Sequence, residues 1–255
     1  MVIDEPKKKS SAPLIILMFL IGIGLGFGAN YGISYFNKDA DKKESSVTED
    51  TTKTKKLELT ESTKAKMEMI ILSGGIAQTT GNWDVPKKFF NGTDQLDNQM
   101  KYVITWNFIK YYIGADGSKP LIEVNEITKM DTSFTEEQLK NYSSEDFYSI
   151  SKSGFDSIYK SFFNEEPNYT IKDLADLGCP SPMAIDSKND RLLFVHACGG
   201  TGGAISSVIK SYESDENTYM AHVETTESYA DAGDTVHKVL WKFDKDLNFI
   251  STEKE

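Results

Sequence analysis

The residues with the clearest chemical potential are His196 and Cys198, which stand two positions apart at the start of a glycine-rich segment, 199–203. A thiolate activated by a histidine base is a nucleophile, and successive backbone N–H groups can stabilise an oxyanion. On a β-strand, however, residues i and i+2 are about 6.5–7 Å apart along the chain, which is long for direct proton transfer. A cysteine nucleophile is therefore the alternative to a structural role for Cys198.

The structural role is a disulfide. Cys179 and Cys198 are the only cysteines in the chain. In an exported domain such a pair forms a disulfide, whereas the cytosol keeps thiols reduced. We predict a Cys179–Cys198 bond at the base of a glycine-rich hairpin, which would stabilise the fold by about 3 kcal/mol. The glycine run lacks the Lys-Ser/Thr ending of a phosphate-binding loop and leads into a strand, so a backbone anion nest is only an alternative.

Metal binding is the next chemistry that the residue types allow. The chain has three histidines, His196, His222 and His237, which could hold zinc if they converged. None of them shows a local ligand spacing, so we interpret them as ordinary strand residues. Carboxylates also occur in pairs that could suit calcium but lack its loop spacing, at 186/190, 215/216, 231/234 and 244/246. We expect these pairs to form solvated turns, and we expect no metal or other cofactor.

The elements that must position these residues change character midway along the chain. Apolar residues alternate with polar ones in the second half, which predicts strands at 191–197, 204–211, 219–226, 235–243 and 248–252. Turn-rich pieces separate the strands, and short connections favour an antiparallel meander. The sequence thus predicts an antiparallel sheet within 183–255.

The first half, 67–175, is predicted to be mainly helical. Apolar residues at helical spacing indicate a helix that starts near Thr60 or Ser62, and a longer one over 96–112 that Thr93 would cap. A short helix is further predicted over 136–142. A longer helix is predicted to start after Ser151 or Ser153 and to be ended by Pro167. Helices followed by a meander make the fold class α+β. This order resembles cystatin-like and NTF2-like folds, in which a helix packs across a curved antiparallel sheet.

An uncharged stretch of 25 residues, 12–36, dominates the N-terminal part. As a helix it would extend roughly 37 Å, more than the ~30 Å hydrocarbon core of a bilayer. We therefore predict a retained transmembrane anchor, with a cleaved signal peptide as the alternative. The predicted organisation is a cytoplasmic head (1–11), the anchor (12–36), a flexible polar stalk (37–66) and an extracytoplasmic domain (67–255).

The anchor also predicts orientation and self-association. Three lysines flank each end, so the positive charges do not decide the orientation, and the short head with a long trailing domain favours N-inside, C-outside. Gly22, Gly26 and Gly28 provide small residues at spacings that let two membrane helices approach closely. A homodimer or a membrane-protein partner is therefore a hypothesis, beside the simpler one that glycine is common in such helices.

The amino-acid composition argues against some classes of function. The net charge of −11 argues against nucleic-acid binding, which requires clustered cations. Enrichment in Lys, Asn, Ile and Tyr favours an AT-rich, Gram-positive bacterial source. We expect a non-catalytic binding domain at the cell envelope, where the ligand would be an envelope component. The alternatives are a cell-surface hydrolase built on His196 and Cys198 or on a histidine metal site, and a dimerising structural or sensory subunit.

Overall fold

A computed structural model describes residues 56–75, 77–78, 83–178, 180–196, 203–229 and 232–255. The predictions for the 12–36 anchor, for Gly22, Gly26 and Gly28, and for the Cys179–Cys198 disulfide lie outside these residues. Most of the predicted stalk lies outside them as well. Within the described ranges, no helix combines the length and the apolar character needed to cross a bilayer.

The first described helix, α1, runs over Glu61–Gly74. The side chain of Thr60 accepts a hydrogen bond from the backbone N–H of Thr63, so the predicted helix start is confirmed. The predicted end of the stalk at residue 66 lies inside this helix and is therefore too late. Helix α1 is ordered because Met67, Ile70 and Ile71 are buried in the core.

Helices α2 (Asp84–Asn91) and α3 (Asn98–Asn107) follow, and α3 continues as a π-helix over Phe108–Tyr112. The predicted cap of the long helix is wrong. Asp97 caps α3 by accepting the N–H of Met100 at 2.8 Å. Thr93 instead forms a two-way backbone bridge with Thr252, because the chain extends to meet the last strand before it turns into the helix.

The remaining helices are α4 (Val124–Ile127), α5 (Glu136–Leu139), α6 (Lys152–Phe163) and α7 (Ile171–Ala175). The short helix expected near 136–142 and the start of the longer helix at Ser151 are confirmed. Helix α6 ends before Pro167, because Asn164 takes up the left-handed conformation (φ 52°) that closes helices. Helices α2, α4 and α7 have no counterpart among the helices predicted from the sequence, and the segment 120–130, which contains α4, is a strand or loop by its sequence pattern.

Among the described residues, one sheet has five antiparallel strands in the order β1-β6-β7-β8-β9. We call it the large sheet. Its strands are β1 (Ala77–Gln78), β6 (Gly203–Ser214), β7 (Thr218–Tyr229), β8 (Gly233–Asp244) and β9 (Phe249–Lys254). Strands β6 to β9 pair consecutively, so the predicted meander is confirmed for this part of the chain.

A second, small sheet corrects the expectation of one sheet within 183–255. It contains β2 (Asp131–Thr132), β3 (Phe147–Ser151), β4 (Ala184–Asp186) and β5 (Arg191–Val195), in the antiparallel order β2-β4-β5-β3. Two of its strands come from the half that was predicted to be mainly helical. Strand β5 is covered on both faces of this sheet: its central residues, Leu192, Leu193 and Phe194, are all buried and face two cores. The α+β class is confirmed.

Candidate functional site

The three histidines lie in different surroundings. His196 is exposed at the end of β5, where its Nε2–H donates to the Asp116 carbonyl at 3.2 Å and its ring meets Tyr148 edge-on at 4.1 Å. His222 lies on β7 between Glu213 and Glu255, with N–O distances of 3.3 and 2.7 Å.

His237 cannot share a metal with His222. It stacks on Phe90 of α2, with ring centroids 4.4 Å apart, and it pairs across strands with Thr225. Thr225 and His222 differ in parity along β7, so His222 and His237 are on opposite faces of the large sheet. In the described part of the chain, no three His, Cys, Asp or Glu residues are grouped to hold a metal ion. The position of Cys198 relative to His196 lies outside the described residues.

The candidate site is an apolar groove of about 330 Å³. Three parts of the chain meet there: the segment that leads into α3 with the first turn of that helix, the end of α6, and the β8–β9 hairpin. Ile70 of α1 also lines the groove. The lining residues are Ile70, Asp94, Gln95, Leu96, Lys101, Phe162, Phe163, Leu247, Asn248, Phe249 and Ile250. This volume lies near the lower end of the roughly 300–1,000 Å³ range of ligand pockets, which are mostly apolar with a few polar groups.

An ion pair closes one side of the groove. The ammonium of Lys101 lies 2.6 Å from the carboxylate of Glu165 and 5.8 Å from the ring centroid of Phe163. Tyr159 also donates its hydroxyl hydrogen to Glu165, at 2.5 Å. The hydrogen bonds from Lys101 and Tyr159 lower the pKa of Glu165 and keep it ionised. The charge of Lys101 is thus already paired, and the described residues that line the groove offer no free cation to an anionic ligand.

Two backbone irregularities shape the part of the groove that the β8–β9 hairpin forms. Leu247 lies in the hairpin turn and has a φ of 64°. A positive φ is uncommon for a bulky residue. Ile250 is an extra residue in β9, because Ser251 pairs with Lys242 while Phe249 pairs with Phe243. Such a bulge redirects a side chain, and bulges often lie next to functional sites. Leu247 and Ile250 both line the groove.

The sequence did not reveal this site. The sequence pattern places Leu96, Phe162 and Phe163 on the apolar faces of two helices. It predicts a turn at 244–246 and a strand at 248–252. No local pattern joins these three segments, because at least 60 residues of chain separate each from the next. The bulge at Ile250 leaves the alternation of a short strand almost intact. A Leu between Asp244 and Asn248 in a tight turn was the one usable signal.

No protein-family model, curated protein or solved structure matches this chain. The likeness to cystatin-like and NTF2-like folds therefore stays an analogy of element order.

Proposed function

We propose that this chain is a single-pass membrane protein whose α+β domain lies outside the cytoplasm and binds a partner protein of the cell envelope without catalysis. Residues 12–36 would span the bilayer, and the polar segment up to residue 60 would hold the domain away from it. Gly22, Gly26 and Gly28 would allow two anchors to pair. The length of the uncharged segment supports the anchor, and the groove supports the binding role.

The observation that carries the binding role is the coincidence of Leu247 and Ile250 in one wall. A positive φ at a leucine costs of order 1–3 kcal/mol, and such strain persists mainly at sites where it serves a function. A bulge and a strained turn at unrelated places would each be unremarkable. Here both direct apolar side chains into the same concave surface. Ile250 stays 38% exposed, so this apolar group is available to a partner.

The chemistry of the groove favours apolar side chains of a protein over a lipid. Exposed Asp94 at the rim and the overall charge of −11 repel anionic head groups. The neutralised Lys101 gives no site for a fatty carboxylate. Asn248 and Gln95 supply amide donors and acceptors that could meet a peptide backbone. A segment with leucine or phenylalanine at its centre and lysine or arginine at its ends complements these features.

A peptide probe tests the binding role on the full chain in detergent. The probe is a blocked pentapeptide with a leucine–phenylalanine–leucine centre and lysine ends, and its counterpart carries glutamate ends. We expect the basic peptide to bind more tightly. Ile250→Glu should weaken it about tenfold or more, which corresponds to about 1.4 kcal/mol. Val236→Glu is the matched control, because Val236 is an exposed valine (56%) on β8 that does not line the groove.

Equal weakening by Ile250→Glu and Val236→Glu, or no preference for the basic peptide, would overturn the role of the groove.

The membrane topology needs its own measurement. Protease added to intact cells should remove the domain while the head stays protected. Protection of the domain would reverse the orientation and refute the extracytoplasmic location.

A further inference from the structure

A buried lysine lies away from the groove, in the π-helix. Lys110 is only 7% exposed, and its Nζ atom has no hydrogen-bond partner among the described residues. The nitrogen lies 4.5 Å from the ring centroid of Phe194. Buried lysines are rare unless they are paired, because an unpaired ammonium loses its hydration. The π-helix that places Lys110 there is itself a rare element that is frequent at functional sites.

Burial also changes the protonation of this amine. Desolvation lowers the pKa of Lys110 from its usual range, and the more distant carboxylate of Asp116 only partly opposes this effect. The Nζ atom of Lys110 makes no hydrogen bond to the carboxylate of Asp116. A desolvated lysine of this kind is a better nucleophile near neutral pH than an exposed one, because more of it is uncharged.

A short segment, 115–117, lies beside the amine, and we call it the cover. Gly114 and Gly117 at its borders have φ values of 73° and 82°, which glycine adopts without strain. Gly117 lies so close to Phe194 that an added Cβ would be 2.7 Å from the ring Cζ atom. Beyond the cover, Ser118 is fixed to Ser149 by two backbone hydrogen bonds of 2.8 Å. Asp116 and Gly117 of the cover are exposed, while Ala115 is partly buried. Two hydrogen bonds hold the cover: the N–H of Ala115 donates to the Ile109 carbonyl at 3.0 Å, and His196 donates to the Asp116 carbonyl.

We propose that Lys110 is a covalent binding site for small apolar aldehydes, reached when the cover moves away from Phe194. The neutral amine nitrogen attacks the carbonyl carbon and forms a C–N bond. The resulting carbinolamine loses its oxygen as water, together with the two amine hydrogens, and an imine remains. No oxidant or reductant is needed. The ring of Phe194 provides the apolar surface for the chain of the aldehyde, and this site is independent of the proposed groove function.

Trapping with borohydride chemistry tests the proposal on the full chain. The probe is butanal with cyanoborohydride, which reduces the imine to a stable secondary amine that mass spectrometry can assign to a residue. Exposed Lys188 serves as the internal reference. At pH 7 we expect more product at Lys110 than at Lys188. At about pH 10.4, where ordinary lysines are half deprotonated, this preference should disappear.

Two glycine variants test the cover. Gly117→Ala combines a positive φ with a clash against Phe194, so it should displace the cover and increase trapping at Lys110 several-fold. Gly114→Ala introduces the same kind of backbone strain into open space and should have little effect. Far-ultraviolet circular dichroism checks that both variants are folded. Protection of Lys110 in the wild type and in Gly117→Ala, while Lys188 reacts, would overturn the proposal.

Discussion

The carboxylate of Asp244 accepts hydrogen bonds from both the backbone N–H and the side-chain amide of Asn248, at 2.9 and 3.0 Å. It also accepts the backbone N–H of Asp246 at 2.8 Å. These bonds hold the turn between β8 and β9 in which Leu247 takes up its positive φ. The ionised side chain of Asp244 therefore supports one wall of the groove, together with two backbone hydrogen bonds, from Asp244 to Asn248 at 2.9 Å and from Leu247 to Asp244 at 3.0 Å.

Low pH should destabilise the turn that forms one wall of the groove. Burial alone would raise the pKa of Asp244, but the hydrogen bonds from Asn248 and Asp246 outweigh it, and the net pKa lies below its usual value. Because the folded-state pKa is the lower one, the stabilisation is complete above the unfolded value of about 3.9 and is lost as pH falls through the folded value. Affinity for the basic peptide, measured by calorimetry from pH 6 downwards, should fall in that window.

Asp244→Asn tests the same relationship at neutral pH. An amide cannot accept every hydrogen bond that the carboxylate accepts, so peptide affinity should drop and its loss at low pH should become smaller. Asp246→Asn is the control, since the side chain of Asp246 makes none of these turn bonds. If the Asp246 variant changes affinity as much as the Asp244 variant, the turn does not act through Asp244.

The ion pair between Asp186 and Arg191 should be important for stability. Asp186 is 3% exposed, and both Nε and Nη2 of Arg191 donate to its Oδ2 atom. Asp186→Leu leaves the guanidinium of Arg191, whose side chain is 20% exposed, without its partner, so the cost should be about 3 kcal/mol, at the lower end of the range for buried pairs. We expect Asp186→Leu to lower the free energy of urea unfolding by about this amount.

The double variant Asp186→Leu, Arg191→Leu isolates the pairing. It removes both charges and fills the space with apolar groups, so it should be less destabilised than the single variant. Simple additivity of the two single changes would mean that the side chains do not act as a pair.

Gly74 is a packing position at the end of α1. A Cβ there would lie 3.1 Å from Trp241 Cη2 and 3.2 Å from Phe89 Cε2, and these two rings stack with centroids 4.6 Å apart. Overpacking costs about 1–3 kcal/mol, while alanine gains at most about 1 kcal/mol in helix propensity. Gly74→Ala should therefore destabilise the domain by about 1 kcal/mol in urea unfolding. Ser62→Ala, at an exposed site in the same helix, should stay within about 0.5 kcal/mol of the wild type.

The sequence predicted correctly those elements that neighbouring residues determine. The alternation along β7, with Tyr219, Ala221 and Val223 buried, is the signature of a half-buried strand, and the meander followed from it. Thr60 and Ser151 were recognisable as helix caps because the cap hydrogen bonds span only three residues. The α+β class followed from the order of these two regions.

Long-range contacts decided the rest. Leu192, Leu193 and Phe194 form a continuous apolar run, which suits a strand covered on both faces but does not indicate the sheet to which it belongs. Thr93 had the chemistry of a cap, yet Thr252 engages it from 159 residues away. The groove and the surroundings of Lys110 are likewise assembled from distant segments, so neither could be predicted from spacing.

The disulfide between Cys179 and Cys198 stays a prediction with a specific optical readout. Trp106 is 1% exposed, and its indole N–H donates to the carbonyl of Pro180, the residue after Cys179, at 2.7 Å. If the bond exists, reduction should lower the free energy of unfolding by about 3 kcal/mol and loosen the segment that accepts this hydrogen bond. A change in tryptophan emission should then accompany reduction.

Maleimide labelling of the full chain provides the decisive measurement, before and after treatment with dithiothreitol. We expect no labelled thiol before reduction and two afterwards, in a chain with two cysteines. The Cys179→Ser, Cys198→Ser variant controls for effects of the reductant, and its stability should match that of the reduced wild type. Two thiols that react without reduction would refute the disulfide, and a fast-reacting Cys198 would restore the His196–Cys198 nucleophile as the better hypothesis.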